Sequence, residues 1–223
     1  MKDTLRPAAT VILVRDNKNS VEVLLLQRNS NASFLPGHWV FPGGAVDEQD
    51  LPGGSEINRA RIAACREANE EAGVTLDHQS LVTFSHWTAP TNMVKRFSTW
   101  FFIAPFNDQK DIEIDHQEIQ DSQWLKPSVA IALHHQGKLP IMPPTYKSLF
   151  EITTANNTSA LIKHTKKQPA LKYFPKIVEY QNTKVFLYNN DSGYDNADPS
   201  NTARLDRISL ENNIIHYQYN RDQ

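Results

Sequence analysis

A single cysteine, Cys65, among 223 residues excludes any internal disulfide and suits a reducing compartment. No apolar run approaches the length of a membrane span, and MKDTLRPAATVILVRD holds no apolar region long enough for a signal peptide. Cytoplasmic residence, without membrane attachment, is the expectation. Neither charge sign dominates: Lys and Arg total 23 against 25 Asp and Glu, and no basic block gives the electrostatic footprint of a nucleic-acid binder. No internal repeat or heptad pattern is present either. What remains is a chain long enough to bury a sizeable core as one domain, or one domain plus an extension.

The informative stretch runs from Phe41 to Val74, FPGGAVDEQDLPGGSEINRARIAACREANEEAGV. Its second half has helical periodicity, and on a helix Glu67, Glu70 and Glu71 fall within an arc of about 100°. Like charges so placed repel. They are either an ordinary solvated face or ligands for a hard cation, which takes oxygen donors. Upstream, the pair Gly43-Gly44 lets backbone approach where a Cβ would obstruct, and Asp47 and Asp50 follow. Cys65 projects beside Ala64, Ala68 and Ala72 and reads as a core thiol.

This stretch resembles the signature of the Nudix hydrolases: Gly, five residues, Glu, seven residues, Arg-Glu, an apolar residue, any residue, Glu-Glu, any residue, Gly, apolar. Gly44, Arg66, Glu67, Ala68, Glu70, Glu71, Gly73 and Val74 match it. There are two departures. Asp50 stands where the signature has Glu, and LPGGSEINRARIAAC roughly doubles the interval to Arg66. Leu51-Pro52-Gly53-Gly54 is turn chemistry, with Ser55 expected to cap a helix beginning near Glu56. The resemblance implies an α/β fold, an α/β/α sandwich with a mixed sheet, and a Mg²⁺ or Mn²⁺ cofactor held by Glu67, Glu70 and Glu71 with Gly43 and Asp50. Arg66 is expected to orient an acid one turn away.

The segment HWTAPTNMVKRFSTWFF narrows the resemblance to long-box Nudix proteins similar to the peroxisomal coenzyme A diphosphatases. It nominates Arg96 to hold a diphosphate bidentately. Lys95 alternates to the opposite side, so at most one of the two faces the site. In the acidic stretch FNDQKDIEIDHQEIQDSQW, Glu118 is the candidate late glutamate, a metal ligand or base, with His116 as a competing base. LLLQRNSNASFLPGHWVFPGG keeps Arg28 and Gly37 of the coenzyme A motif and loses its Thr, Ser, second Arg and Val. Arg28, Arg96, Gly43 and Gly44 are thus the expected substrate-binding residues. The implied activity is metal-dependent hydrolysis of a diphosphate linkage in a nucleoside diphosphate derivative, with coenzyme A or an acyl-coenzyme A leading. A nucleoside diphosphate sugar, a dinucleotide, or a non-catalytic nucleotide-binding module are the alternatives. The partner is a small diphosphate, and a homodimer is left open.

Around the motif, Ala8–Val14 and Val21–Gln27 read as a hairpin. Gly37–Phe41, Leu81–Trp87 and Arg96–Ala104 read as further strands. Helices are expected from Pro127, with Val129, Ala132 and Leu133 inward, and from Pro143 through Tyr146, Leu149 and Ile152. Residues 1–154 would form the hydrolase domain, and residues 155–223 an extension packed on it. The extension would hold strands at Pro175–Glu179, Lys184–Tyr188, Arg204–Leu210 and Ile214–Tyr219, with Asn189–Asn201 as a polar turn cluster or mobile loop.

Overall fold

A computed structural model describes residues 5–18, 20–91, 93, 95–107 and 110–220. Asn19, Asn92, Asp108 and Gln109, which fall in the expected turns and acidic loop, lie outside the described residues. Strand β1 (Arg6–Asn17) is the hub. It pairs antiparallel with β2 (Ser20–Arg28), Val14 opposite Val23. Along its other edge it runs parallel to β6 (Phe97–Pro105), while the short β4 (Gly43–Ala45) pairs antiparallel with its first residues on the β2 edge. Strands β3 (Trp39–Val40), β5 (Val82–Thr88) and β7 (Ile119–Leu125) complete an eight-stranded mixed sheet with β8 (Leu171–Tyr173).

Alternation along β1 divides the interior in two. Ala9, Val11 and Leu13 face helix α1 (Glu56–Ala72), which presents Ala60, Ala63, Ala64, Ala68 and Ala72; these small side chains let the helix lie close on the sheet. Gly73 ends α1 at φ 67°, its N–H bonding to the Asn69 carbonyl at 3.0 Å, a left-handed cap that glycine adopts at little cost. Ser55 takes the N-cap position with extended backbone but makes no side-chain capping bond. Cys65 lines the same layer, and burial pushes its thiol up to about 11, which leaves it inert near neutral pH.

Ile12 and Val14 face the opposite layer, where α2 (Pro127–His135) and α3 (Pro143–Ile152) pack. The α3 positions Tyr146, Leu149 and Ile152 are buried. The inward face of α2 differs from the sequence reading: Val129 is 42% exposed, while Ala130 and His134 are buried. His134 shifts the phase because its ring is used as a core group. One ring nitrogen lies 3.0 Å from the Leu139 carbonyl, and the other accepts the Ile215 N–H at 2.8 Å. Burial holds this imidazole below its usual range, the neutral form that both bonds require.

The first sheet continues past residue 154. Helix α4 (Thr158–Lys166), capped by the Asn157 side chain, packs against β5 and β1, and β8 then pairs parallel with β5. The change of sheet falls between β8 and β9, with α4 and β8 covering a sheet edge the core would otherwise expose. Strands β9 (Lys176–Tyr180), β10 (Thr183–Leu187), β11 (Asp206–Glu211) and β12 (Ile214–Tyr219) form an antiparallel second sheet. Its Tyr188, Ile208 and Ile215 join the α2/α3 layer. Asn189–Asn201 is a turn cluster fixed by buried Asp191, which accepts two hydrogen bonds from Arg207, at 2.7 and 2.6 Å.

Candidate active site

The site is built where β4 meets α1. Two glycines let strand and helix meet there. A Cβ on Gly43 would sit 2.7 Å from the Thr10 Cα, and one on Gly44 would sit 2.6 Å from the carboxyl carbon of Glu67. With hydrogen in those places, the Gly43 N–H donates to Glu71 Oε2 at 2.9 Å and α1 lies against the strand. Glu71 is only 4% exposed. Burial pushes its carboxyl up to about 8; the Glu67 and Glu118 charges add to this, while the Gly43 N–H and Arg28 oppose it. Burial likewise raises Glu67, against the pull of Arg66.

Arg66 organises the acids on the other side. It donates to Glu67 at 2.9 Å and to Glu70 at 3.0 Å, the i,i+4 contact expected for it. Its other nitrogens reach both oxygens of Asp50 at 3.1 Å, and the Ala45 carbonyl at 3.0 Å. Asp50 is buried, which alone would raise its pKa. Hydrogen bonds from Arg66 and from the Asp47 N–H, at 2.7 Å for the latter, with the charges of Arg66 and Arg59, outweigh burial and hold it below the usual carboxylate range. Asp50, expected among the metal ligands, is thus placed against Arg66, its shorter side chain meeting the guanidinium with both oxygens. Arg59, which sequence reading passed over, fastens the insertion by donating to the Asp47 and Asp50 carbonyls at 2.9 and 3.2 Å.

Two further groups arrive from other elements. Arg28, at the end of β2, donates to the Phe34 carbonyl at 3.0 Å and lies 3.8 Å from Glu71 and 3.4 Å from Glu118. Glu118 is held by the loop before β7: Asp115 accepts the Gln117, Glu118 and Ile119 N–H groups, and the Glu118 carbonyl receives the Asn29 N–H at 2.7 Å. Arg28, Gly43, Gly44, Glu67, Glu71 and Glu118 thus line one cleft of about 890 Å³. Glu70 lies outside this lining, held by Arg66.

Arg96 does not enter the cleft. It is buried, and its guanidinium donates to the Ala89 carbonyl at 3.3 and 3.1 Å, pinning the turn before β6. Its neighbour Lys95 lines the cleft instead. Of the two residues, the chain entering β6 presents Lys95 to the cleft and turns Arg96 to the Ala89 carbonyl.

The donor set suits a hard divalent cation. Glu67, Glu70 and Glu71 share one helix face, supply only oxygen, and include two acids raised by crowding and burial, all of which a bound cation would relieve. These residues fit. Among the described residues no group of three acidic, histidine or cysteine side chains already closes around one point. Gly43 meets Glu71 through its N–H, and Asp50 is fully engaged by Arg66 and Asp47.

The family model described as the NUDIX domain matches residues 4–145, and the chain belongs to the Nudix family. It is similar to a Caenorhabditis elegans protein named putative nudix hydrolase 7, 28% identical over 183 residues, a match taking in 66% of this chain and 59% of that protein. The match thus spans about three fifths of that relative's length. Among solved structures, a NUDIX hydrolase from Alicyclobacillus acidocaldarius superposes with TM-score 0.66 at 20% identity, over 77% of this chain and 99% of that one. The NUDIX domain of Shewanella oneidensis NrtR, solved with ADP ribose, gives TM-score 0.51 at 17% identity, over 66% of this chain and 86% of that one. Both likenesses are of fold.

Proposed function

We propose that this protein hydrolyses a diphosphate linkage in a nucleoside diphosphate derivative, with Mg²⁺ or Mn²⁺, by attack of water at phosphorus. The observation that carries this reading is the meeting of Glu67 and Glu71 with Gly43 and Gly44 at one end of the cleft. A divalent cation, when bound, neutralises the diphosphate oxygens that repel a nucleophile and acidifies water. Glu67, Glu70 and Glu71 would hold it. Arg66, anchored by Asp50, keeps Glu67 and Glu70 aimed along one face, so their orientation does not have to be found anew at each turnover.

Arg28 and Lys95 supply cationic donors along the same cleft for the outer phosphate oxygens. Glu118, exposed and beside Arg28, is the carboxylate we assign as acceptor of the proton of the attacking water, with a metal-ligand role as the alternative. Cleavage gives two monophosphates, or a monophosphate and phosphate. Arg28, Gly37 and the HWTAPTNMVKRFSTWFF segment support a coenzyme A-type substrate, as in the long-box subgroup. A panel of coenzyme A, acyl-coenzyme A, nucleoside diphosphate sugars and dinucleotides, assayed with Mg²⁺ or Mn²⁺ by phosphate release and mass spectrometry, tests the reading. Turnover of at least one is expected. Tight binding of a nucleotide with no turnover of any would replace hydrolysis with a binding role.

A further inference from the structure

The glycine corner, with Arg28, Lys95 and Glu118, accounts for the chemistry above, and the remaining lining of the cleft has no part in it. Its floor is one alternate row of the first sheet: Thr99 and Phe101 on β6 lie in register beside Ala8 and Thr10 on β1. Its far wall comes from the second sheet. Lys184 and Phe186, two residues apart on β10, line the cleft, whereas Val185 and Leu187 are buried and do not. In register, Phe186 lies opposite Ile177 of β9, and Lys184 opposite Leu210 of β11; both partners also line the cleft. Phe186 packs in part on the core of the α2/α3 layer, yet it and Ile177 remain partly accessible, and Phe34 is 40% exposed. Phe34 meets Phe97 of the β6 edge at 5.7 Å between ring centroids.

A diphosphate needs the acids and cations of the corner, and has no use for an aromatic and aliphatic wall. Beyond the corner the lining is mixed, with Lys95, Glu179 and Lys184, but its Phe97, Ile177 and Phe186 offer an apolar surface that suits a ligand with an apolar part beyond its diphosphate. We infer that β9 and β10 are the specificity wall of this site. On this inference, the substrate carries a bulky apolar arm beyond its diphosphate, taken up by Phe97, Ile177 and Phe186. The inference rests on the hydrolase reading and extends it to the substrate's second half. It also gives the second sheet a role in the reaction, since Phe186 and Ile177 determine which diphosphates enter productively.

Two probes decide it: the methyl and the octyl β-esters of adenosine 5′-diphosphate, each of which yields adenosine monophosphate and an alkyl phosphate when hydrolysed. With Mg²⁺, below the concentration at which the octyl ester aggregates, its kcat/KM is expected to exceed that of the methyl ester by about tenfold or more. In Phe186→Ala and Ile177→Asn the ratio should fall to within about threefold of unity. Because the readout is a ratio, general damage to the enzyme lowers both values and leaves it unchanged. Equal kcat/KM for the two esters in the native protein, or a ratio unchanged in both variants, overturns the inference while leaving the hydrolase reading intact. If neither ester is turned over, the hydrolase reading fails on these probes, and the same ratio taken from calorimetric affinities decides the wall: a native preference lost in the variants supports it, and equal affinities overturn it.

Discussion

Glu71 has the most divided environment of any residue in the site. It is buried against β4, takes one backbone hydrogen bond, and faces Arg28 at salt-bridge distance with Glu67 and Glu118 close enough to raise it. Its folded pKa of about 8 lies above the unfolded value, so between the two the folded state holds a proton the unfolded state has lost. The stability this gives is full below about pH 4.5 and is lost as pH rises through about 8. Metal-free protein should therefore weaken by a few kcal/mol across that window, and Glu71→Gln should flatten the profile in denaturant titrations at several pH values. A native profile as flat as the variant's would contradict the burial assigned to this carboxyl. In saturating Mg²⁺, Glu71→Gln should lose at least about 100-fold in turnover. Asp50→Ala should lose less, about 10-fold to 100-fold, because it acts through Arg66. The reverse ranking would return Asp50 to the metal.

At the scale of elements, the glycine corner separates two kinds of damage. The added Cβ of Gly44→Ala meets the end of a flexible side chain, so Glu67 moves and the strand does not. Activity should fall steeply while the unfolding midpoint stays nearly constant. In Gly43→Ala the Cβ meets backbone atoms of Ala9 and Thr10, and the β1–β4 pairing must give, at a cost of about 1–3 kcal/mol in thermal unfolding. Equal loss of stability in the two would refute this division. These elements were legible from sequence because glycine pairs, alternation and the acid-rich helix are local signals. Arg96 and Lys95 were not separable that way: strand alternation shows that they point apart, and only the turn carbonyl at Ala89 decides which one is consumed as structure. Asp50 was ambiguous for a similar reason, since one missing methylene suits an arginine fork as well as an ion.

Across the whole molecule, the two sheets share the α2/α3 layer, and Lys147 ties α3 to the second sheet. This α3 lysine is 2% exposed, donates to Asp206 of β11 and to the Tyr217 hydroxyl at 2.7 Å each, and lies 4.5 Å from the Tyr188 ring centroid. Burial lowers its pKa, and Asp206 opposes the shift. Lys147→Ala strands a buried carboxylate and should cost about 3–5 kcal/mol in denaturant unfolding, with Lys147→Ala/Asp206→Asn recovering part of it. Equal costs would show that packing, not charge, is what the lysine supplies. Nothing in the sequence announced this tie or the cleft wall at Phe186, because each pairs residues far apart in the chain. The short strands of the second sheet were nevertheless readable, as was the helix from Pro143, whose Pro143-Pro144 pair also lines the cleft.

The most direct test follows hydrolysis of the best panel substrate in ¹⁸O-labelled water with Mn²⁺, before and after chelation, by mass spectrometry of the products. The label should enter a phosphate product, and product formation should stop when the metal is chelated and resume when it is restored. Label on carbon, or turnover that continues undiminished in chelator, would contradict cation-assisted attack of water at phosphorus in the Glu67–Glu71 corner.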